Sequence, residues 1–241
     1  MNQAPLRTQL PENFYLYHGL LPALLLAFVL ALVNRLQVDE TLASMIFNSH
    51  APNWQLRNSF LLEDIIHKGG RQFTALLFLT ALALSFLPAG RTYRQPLKYL
   101  TLSVFVSIIT INLLKKFSGI PCPWSVAAFG GSQHMIEWFN GFNGESGCFP
   151  AGHASAGYAW VALYFVALML RPASKYPALF FGLTLGIIYG VAQQLRGAHF
   201  LSHDIWTLAI CWFVPMLLYP RFCVFADSGA ATTTDGDTKW N

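Results

Sequence analysis

Three polar clusters interrupt an otherwise apolar chain, and each carries side chains suited to handling an anion. Lys115-Lys116 end one hydrophobic run, Pro150-Ala151-Gly152-His153 open another, and Gln193 to Asp204 hold Arg196, His199, His203 and Asp204. Histidines can act as proton donors or nucleophiles near neutral pH, and cations can neutralise charge that builds on oxygen during a reaction. With several cations and no cluster of carboxylates or thiolates beside the histidines, the set suits a phosphate ester better than a metal ion. The turn before His153 adds backbone donors, because the first N–H groups of a helix have no intrahelical acceptor and attract anions.

The elements that must position these residues are membrane helices. Of 241 residues 54% are apolar and 11% charged, and mean hydropathy is +0.44, well outside the usual soluble balance. Apolar runs near the length needed to cross a bilayer fall at 15–33, 70–87, 97–114, 154–170, 177–192 and 205–219. They predict an all-α polytopic membrane protein with six transmembrane helices. One membrane-embedded domain is expected over residues 1–226, followed by a disordered cytoplasmic tail at 227–241 with little apolar content. Val33-Asn34-Arg35 is a poor cleavage site, so the first span reads as a retained anchor.

The net charge of +4 sits largely in short loops and reads as topology, with no nucleic-acid footprint. Arg91, Arg94 and Lys98, and then Arg171 and Lys175, mark two cytoplasmic loops. Both termini are then cytoplasmic, and all three polar clusters face outward. Lysines at the outer end of a span run against the positive-inside tendency, so Lys115-Lys116 are expected to be held there by function. Residues 54–67 are too polar to span. With Leu61, Leu62, Ile65 and Ile66 at helical spacing, they predict a helix lying in the outer interface. His67, Lys68 and Arg71 are expected at its edge as interfacial anchors able to meet a lipid headgroup. Small residues at 154–159 and Gly182, Gly186 and Gly190 predict close helix packing. Cys122 and Cys148 share one outward loop, where an oxidising exterior would let them bond; two free thiols remain the alternative.

The order and spacing of the clusters resemble the type-2 phosphatidic-acid phosphatase family, the lipid phosphate phosphatases, whose helical core is shared with vanadium haloperoxidases. The family signature is Lys with Arg-Pro seven residues on, then Pro-Ser-Gly-His, then Ser-Arg with His six residues after the Arg and Asp four after that His. Here Lys115 is followed by Cys122-Pro123, and the second motif is Pro150-Ala151-Gly152-His153. The third registers on His199, with Gln193 in the Arg position and His203 in the Asp position. Arg196 lies one helical turn from Gln193, and Asp204 one residue past the Asp position. The resemblance covers spans three to six and marks a divergent member.

By that resemblance His199 is the nucleophile that forms a phosphohistidine, and His153 the general acid that protonates the leaving alcohol and later activates water. Lys115, Lys116, Arg196, Gln193 and the N–H of Gly152 would hold the phosphate oxygens, although Lys116 reads more simply as a second lysine that snorkels. His203 or Asp204 would orient His199, with Asp204 the stronger acceptor; Ser202 at the N-cap and Asp204 in the first turn equally suit the start of span six. A Cys122–Cys148 disulfide would tie the first motif to the second. The implied activity is hydrolysis of a lipid phosphomonoester or pyrophosphate at the periplasmic face of a bacterial inner membrane. It implies no metal and no cofactor, and no partner beyond the bilayer and its lipid phosphate. A lipid phosphotransferase using the same histidine and a non-catalytic lipid-binding or transport homologue are the rival readings.

Overall fold

The computed structural model describes residues 10–50, 53–134 and 147–230, with side chains through Cys223. Its body is helical: α1 (Leu16–Arg35), α2 (Val38–Ile46), α3 (Leu61–Phe86), α4 (Pro88–Phe117), α5 (Gly152–Leu170), α6 (Pro172–Leu195) and α7 (Leu201–Ala230). All but α2 are long and apolar enough to cross a membrane, which gives the six spans read from hydropathy. Helices are the natural outcome for such runs, because a lipid interior offers backbone N–H and C=O groups no partner outside their own segment. Prolines open α4 and α6, where a missing N–H costs nothing.

Burial ranks the spans. α5 is the central one, with 67% of its span buried against 11% in α1. It can be central because its small residues admit close neighbours: a side chain on Gly157 would strike the backbone of Gly186 in α6, and one on Gly182 the backbone of Trp160–Val161. Ile111 and Val104 of α4 and Cys211 of α7 complete the core around Ala154, Tyr158 and Trp160. At the other end of the bundle His18 of α1 contacts the Tyr164 hydroxyl at 2.9 Å, and its carbonyl accepts the Trp212 N–H at 2.7 Å.

Two expectations need correction. Residues 54–67 do not form a separate interfacial helix. Leu61–Gly69 wind as a π-helix that runs without a break into Gly70–Phe86, so the polar segment is the N-terminal end of the second span. The charges that made it look too polar to span are answered locally, with Lys68 pairing to Asp64 at 2.8 Å and to Glu63 at 3.4 Å. The last helix also continues past residue 226 to Ala230; the rest of the expected tail lies outside the described residues.

Candidate active site

The three polar clusters converge because the loop between α4 and α5 is fastened at both ends. The Gly147 N–H donates to the Lys115 carbonyl at 3.0 Å and the Cys148 N–H to the Ile120 carbonyl at 2.7 Å. A disulfide joins Cys122 to Cys148, with 5.1 Å between their Cα atoms. The histidine turn, which contains a cis Phe149–Pro150 bond, is then tied to α7. The Ala151 N–H donates to the His203 carbonyl at 3.4 Å, and the Thr207 hydroxyl lies 2.8 Å from the His203 carbonyl and 3.3 Å from that of Ala151.

The third cluster is shaped by how α6 ends. Gly197 adopts φ +74°, and the Ala198 and Gly197 N–H groups return to the carbonyls of Gln193 and Gln194, both at 2.9 Å. These are the two bonds of a Schellman stop, which needs a left-handed residue at the glycine position. The chain reverses there and enters α7, whose first turn is capped from another element: Asp39 of α2 accepts the Ser202 N–H at 2.9 Å. Ser202 is thus inside the helix and not its cap. Burial holds the Asp39 carboxyl above the usual carboxylate range, against the pull of its bonds to Ser202.

Lys115, Gly152 and His153 meet at one cavity of about 450 Å³. A Cβ on Gly152 would stand 3.8 Å from Lys115 Nζ, so the ammonium lies beside the first turn of α5, whose leading N–H groups have no intrahelical acceptor. His67, Arg71 and Asn112 line the same polar end, while Phe78, Val104, Phe105, Ile108 and Trp160 make an apolar floor along the spans. A site with cations at one end and hydrocarbon at the other fits an amphiphilic anion. Gln193 also lines it; Lys116 is exposed and does not.

Arg196 is placed differently from the expectation. It is only 7% exposed and does not line the cavity. Its Nε–H donates to the Arg57 carbonyl at 2.9 Å, Nη1 donates to Gln193 Oε1 at 3.0 Å, and Nη2 pairs with Glu63. The side chain is therefore a brace between α3, α6 and the segment before α3. Gln193, in the Arg position of the family signature, serves as one of its anchors.

Reading the sequence as interfacial anchors missed the role of the α3 end. His67 Nδ1 lies 3.2 Å from Glu63 Oε2 and 3.3 Å from Arg196 Nη1, and His67 Nε2 contacts His153 Nε2 directly. The signal was present as Glu63 and His67 one turn apart, with Arg71 a further turn on, but only helix continuity through Gly70 aims that face at His153.

His199 sits behind His153, 6.4 Å away between ring centres, and 5.8 Å from His203. It is 3% exposed and lines a small space with Asp39, Trp54 and Gln194. Burial first, then the nearby His203, Lys115 and His153, pushes its pKa well below 6.5, while the Cys148 carbonyl opposes the shift. A neutral imidazole with a free lone pair is what a nucleophile requires. Neither expected partner orients it through a carboxylate. Asp204 accepts from Gln194 Nε2 at 2.5 Å and packs on Gly190, where only a glycine leaves room for it. His203 is enclosed by Phe149 and Phe200, and the Cys148 carbonyl faces both its ring and that of His199.

A family model described as the PAP2 superfamily matches residues 96–222, more than half of the chain and all three polar clusters. No curated protein and no solved structure matches the chain.

Proposed function

Because the chain belongs to the PAP2 superfamily, we propose that it is a membrane phosphatase that hydrolyses a lipid phosphomonoester or pyrophosphate through a phosphohistidine on His199. One observation carries this reading: the Lys115 ammonium, the N–H groups opening α5 and His153 share a cavity whose opposite end is apolar. Phosphate at the polar end would meet Lys115, Arg71 and the Gly152 N–H, which stabilise charge on the equatorial oxygens in the transition state. A lipid tail would lie on the floor made by Phe78, Val104 and Phe105.

His199, kept neutral by burial, attacks phosphorus on one side, and His153 protonates the leaving oxygen on the other. Water then attacks the phosphohistidine with His153 as base. The polar end lies opposite the loops carrying Arg91, Arg94, Lys98, Arg171 and Lys175. By the positive-inside tendency, catalysis is then at the outer face of the membrane, the periplasmic face in a bacterial inner membrane.

The test is phosphate release from phosphatidic acid, phosphatidylglycerol phosphate, undecaprenyl pyrophosphate and lipid A by purified wild type, His199→Ala and His153→Ala, each with and without chelator. Release by wild type, lost in both variants and indifferent to chelator, is expected. Equal release by wild type and His199→Ala would reject the mechanism. Transfer of labelled phosphate to an added acceptor lipid in place of water would make the protein a phosphotransferase instead.

A further inference from the structure

We propose that Arg71 and Asn112 form a second anion subsite, between Lys115 and the apolar floor of the cavity, which selects a lipid diphosphate as substrate and holds the phosphate that departs with the lipid. The inference rests on the phosphatase reading above and names a substrate class for the same cavity. Its starting point is the grading of the cavity wall along two helices. On α4 the wall steps from Lys115 through Asn112 to Phe105, and on α3 from His67 through Arg71 to Phe78. His67 touches His153 and Gly152 lies beside Lys115, so the first step on each helix surrounds the reacting position. Arg71 and Asn112 each stand about one turn, roughly 5 Å, further toward the hydrocarbon.

Arg71 makes no ion pair among the described residues. Glu63, two turns before it on α3, is taken up by Arg196 and Lys68, and no carboxylate lines the cavity among the described residues. A cation placed between a reacting phosphate and an apolar floor is costly unless an anion answers it, and here that anion must come from the ligand. A phosphomonoester of glycerol brings only uncharged oxygens to that level, whereas a diphosphate brings its second phosphate. Asn112 adds a neutral donor: its amide gives one N–H to the Ile108 carbonyl at 2.9 Å and has another for an oxygen of the ligand. A lone phosphate would have to share Arg71 with Lys115 across a helical turn. A diphosphate gives each cation a phosphate where it stands.

The chemistry agrees with this placement. His199 bonds to the terminal phosphorus as the bond from that phosphorus to the bridging oxygen breaks. The bonding pair stays on the bridging oxygen, which remains part of the lipid phosphate, and Arg71 neutralises the charge it gains. The last ionisation of a phosphate monoester has a pKa of about 6, whereas water, the nearest guide for an alcohol, has one of about 16. A departing phosphate therefore leaves without the proton an alkoxide would need, and for this leaving group the proton that a monoester takes from His153 is dispensable. In the second step the water oxygen bonds to phosphorus, its proton passes to His153, and the histidine–phosphorus bond breaks to release inorganic phosphate. The lipid monophosphate left on Arg71 and Asn112 stands a turn short of Lys115 and is the end product.

The experiment uses the full-length purified protein in detergent micelles, with undecaprenyl pyrophosphate, undecaprenyl phosphate and phosphatidic acid at one mole fraction. Inorganic phosphate and lipid product are both measured for wild type, Arg71→Gln, Asn112→Ala and His199→Ala. Wild type should favour the diphosphate over phosphatidic acid by about 10-fold or more in kcat/KM, release one phosphate per lipid and accumulate undecaprenyl phosphate. That preference should fall by about 10–100-fold in Arg71→Gln, the scale of a lost charge-assisted bond, and by about 3–10-fold in Asn112→Ala, the scale of a neutral one. An unchanged preference in both variants, or equal losses on the diphosphate and on phosphatidic acid, would overturn the subsite. So would a wild type that prefers phosphatidic acid or strips both phosphates from the diphosphate. Should Arg71→Gln not fold, Asn112→Ala decides by the same ratio. Release that is absent in wild type for every lipid, or equal in His199→Ala, would instead reject the underlying reading.

Discussion

Arg196 offers the sharpest separation between what its position in the chain implies and what the structure assigns it. The family resemblance makes it a phosphate ligand one turn from the Arg position that Gln193 occupies, whereas its contacts make it a brace. Substituting Arg196→Gln removes the cation paired with Glu63 and leaves the Arg57 carbonyl and Gln193 Oε1 without their donors. Breaking one side of a buried ion pair costs about 3–5 kcal/mol. Because Glu63 is 23% exposed, water recovers part of that, and about 3 kcal/mol is the appropriate scale. For a chain of this size each kcal/mol moves the midpoint by about 2–4 °C, so melting should fall by about 6–12 °C. The assay is thermal unfolding in detergent, run beside Lys115→Gln. Lys115 makes no ion pair among the described residues, so its substitution should leave melting within about 2 °C while raising KM for the lipid phosphate. An unchanged midpoint in Arg196→Gln together with a raised KM would refute the brace and return Arg196 to the phosphate.

Further outcomes follow from other contacts. His199 is held neutral when folded but binds a proton below about 6.5 when unfolded, so its contribution is full above that pH and is lost on acidification below it. Stability should fall by up to about 1.4 kcal/mol per pH unit there, and the slope should flatten in His199→Gln when melting is followed from pH 7 to pH 5. Reducing the Cys122–Cys148 bond, which closes a separation of 26 residues, should cost about 3.5 kcal/mol on the chain-entropy account. Alkylation of the denatured protein should label two cysteines before reduction, Cys211 and Cys223, and all four after it. Gly190→Ala would drive a methyl group into the Asp204 carboxylate and part it from Gln194. Its melting temperature should fall, whereas the same change at Gly152, with nothing nearer than 3.8 Å, should not lower it.

Hydropathy alone located the six spans, because each is a long run whose backbone has one way to satisfy itself in lipid. The histidine turn, Lys115 and the cysteine pair were also legible, since each is marked by residue type and by its place at the end of a span. What was hidden depends on facing. Whether Glu63, His67 and Arg71 lie along the bilayer surface or cap a span turns on helix continuity through Gly69-Gly70, and glycine pairs usually read as a break. Arg196 and Gln193 stand one turn apart in the chain, and nothing local says that they bond to each other and not to a ligand. Asp204 was the stronger acceptor on paper, yet its direction is set by the gap at Gly190, which belongs to another helix.

Phe105 and Ile109 belong at once to the cavity floor and to the apolar surface that α4 turns outward, where they are 53% and 42% exposed. The occupant of that floor is therefore drawn from whatever hydrocarbon surrounds the protein, and the surrounding phase acts as a competitor. For any amphiphile held there, occupancy follows its mole fraction in the bilayer or micelle, not its amount per litre of buffer. Adding detergent at constant total substrate should slow turnover by surface dilution, and detergents whose tails fit between Phe78 and Phe105 should slow it most. Rates measured for this protein become comparable only when the composition of that two-dimensional solvent is stated with them.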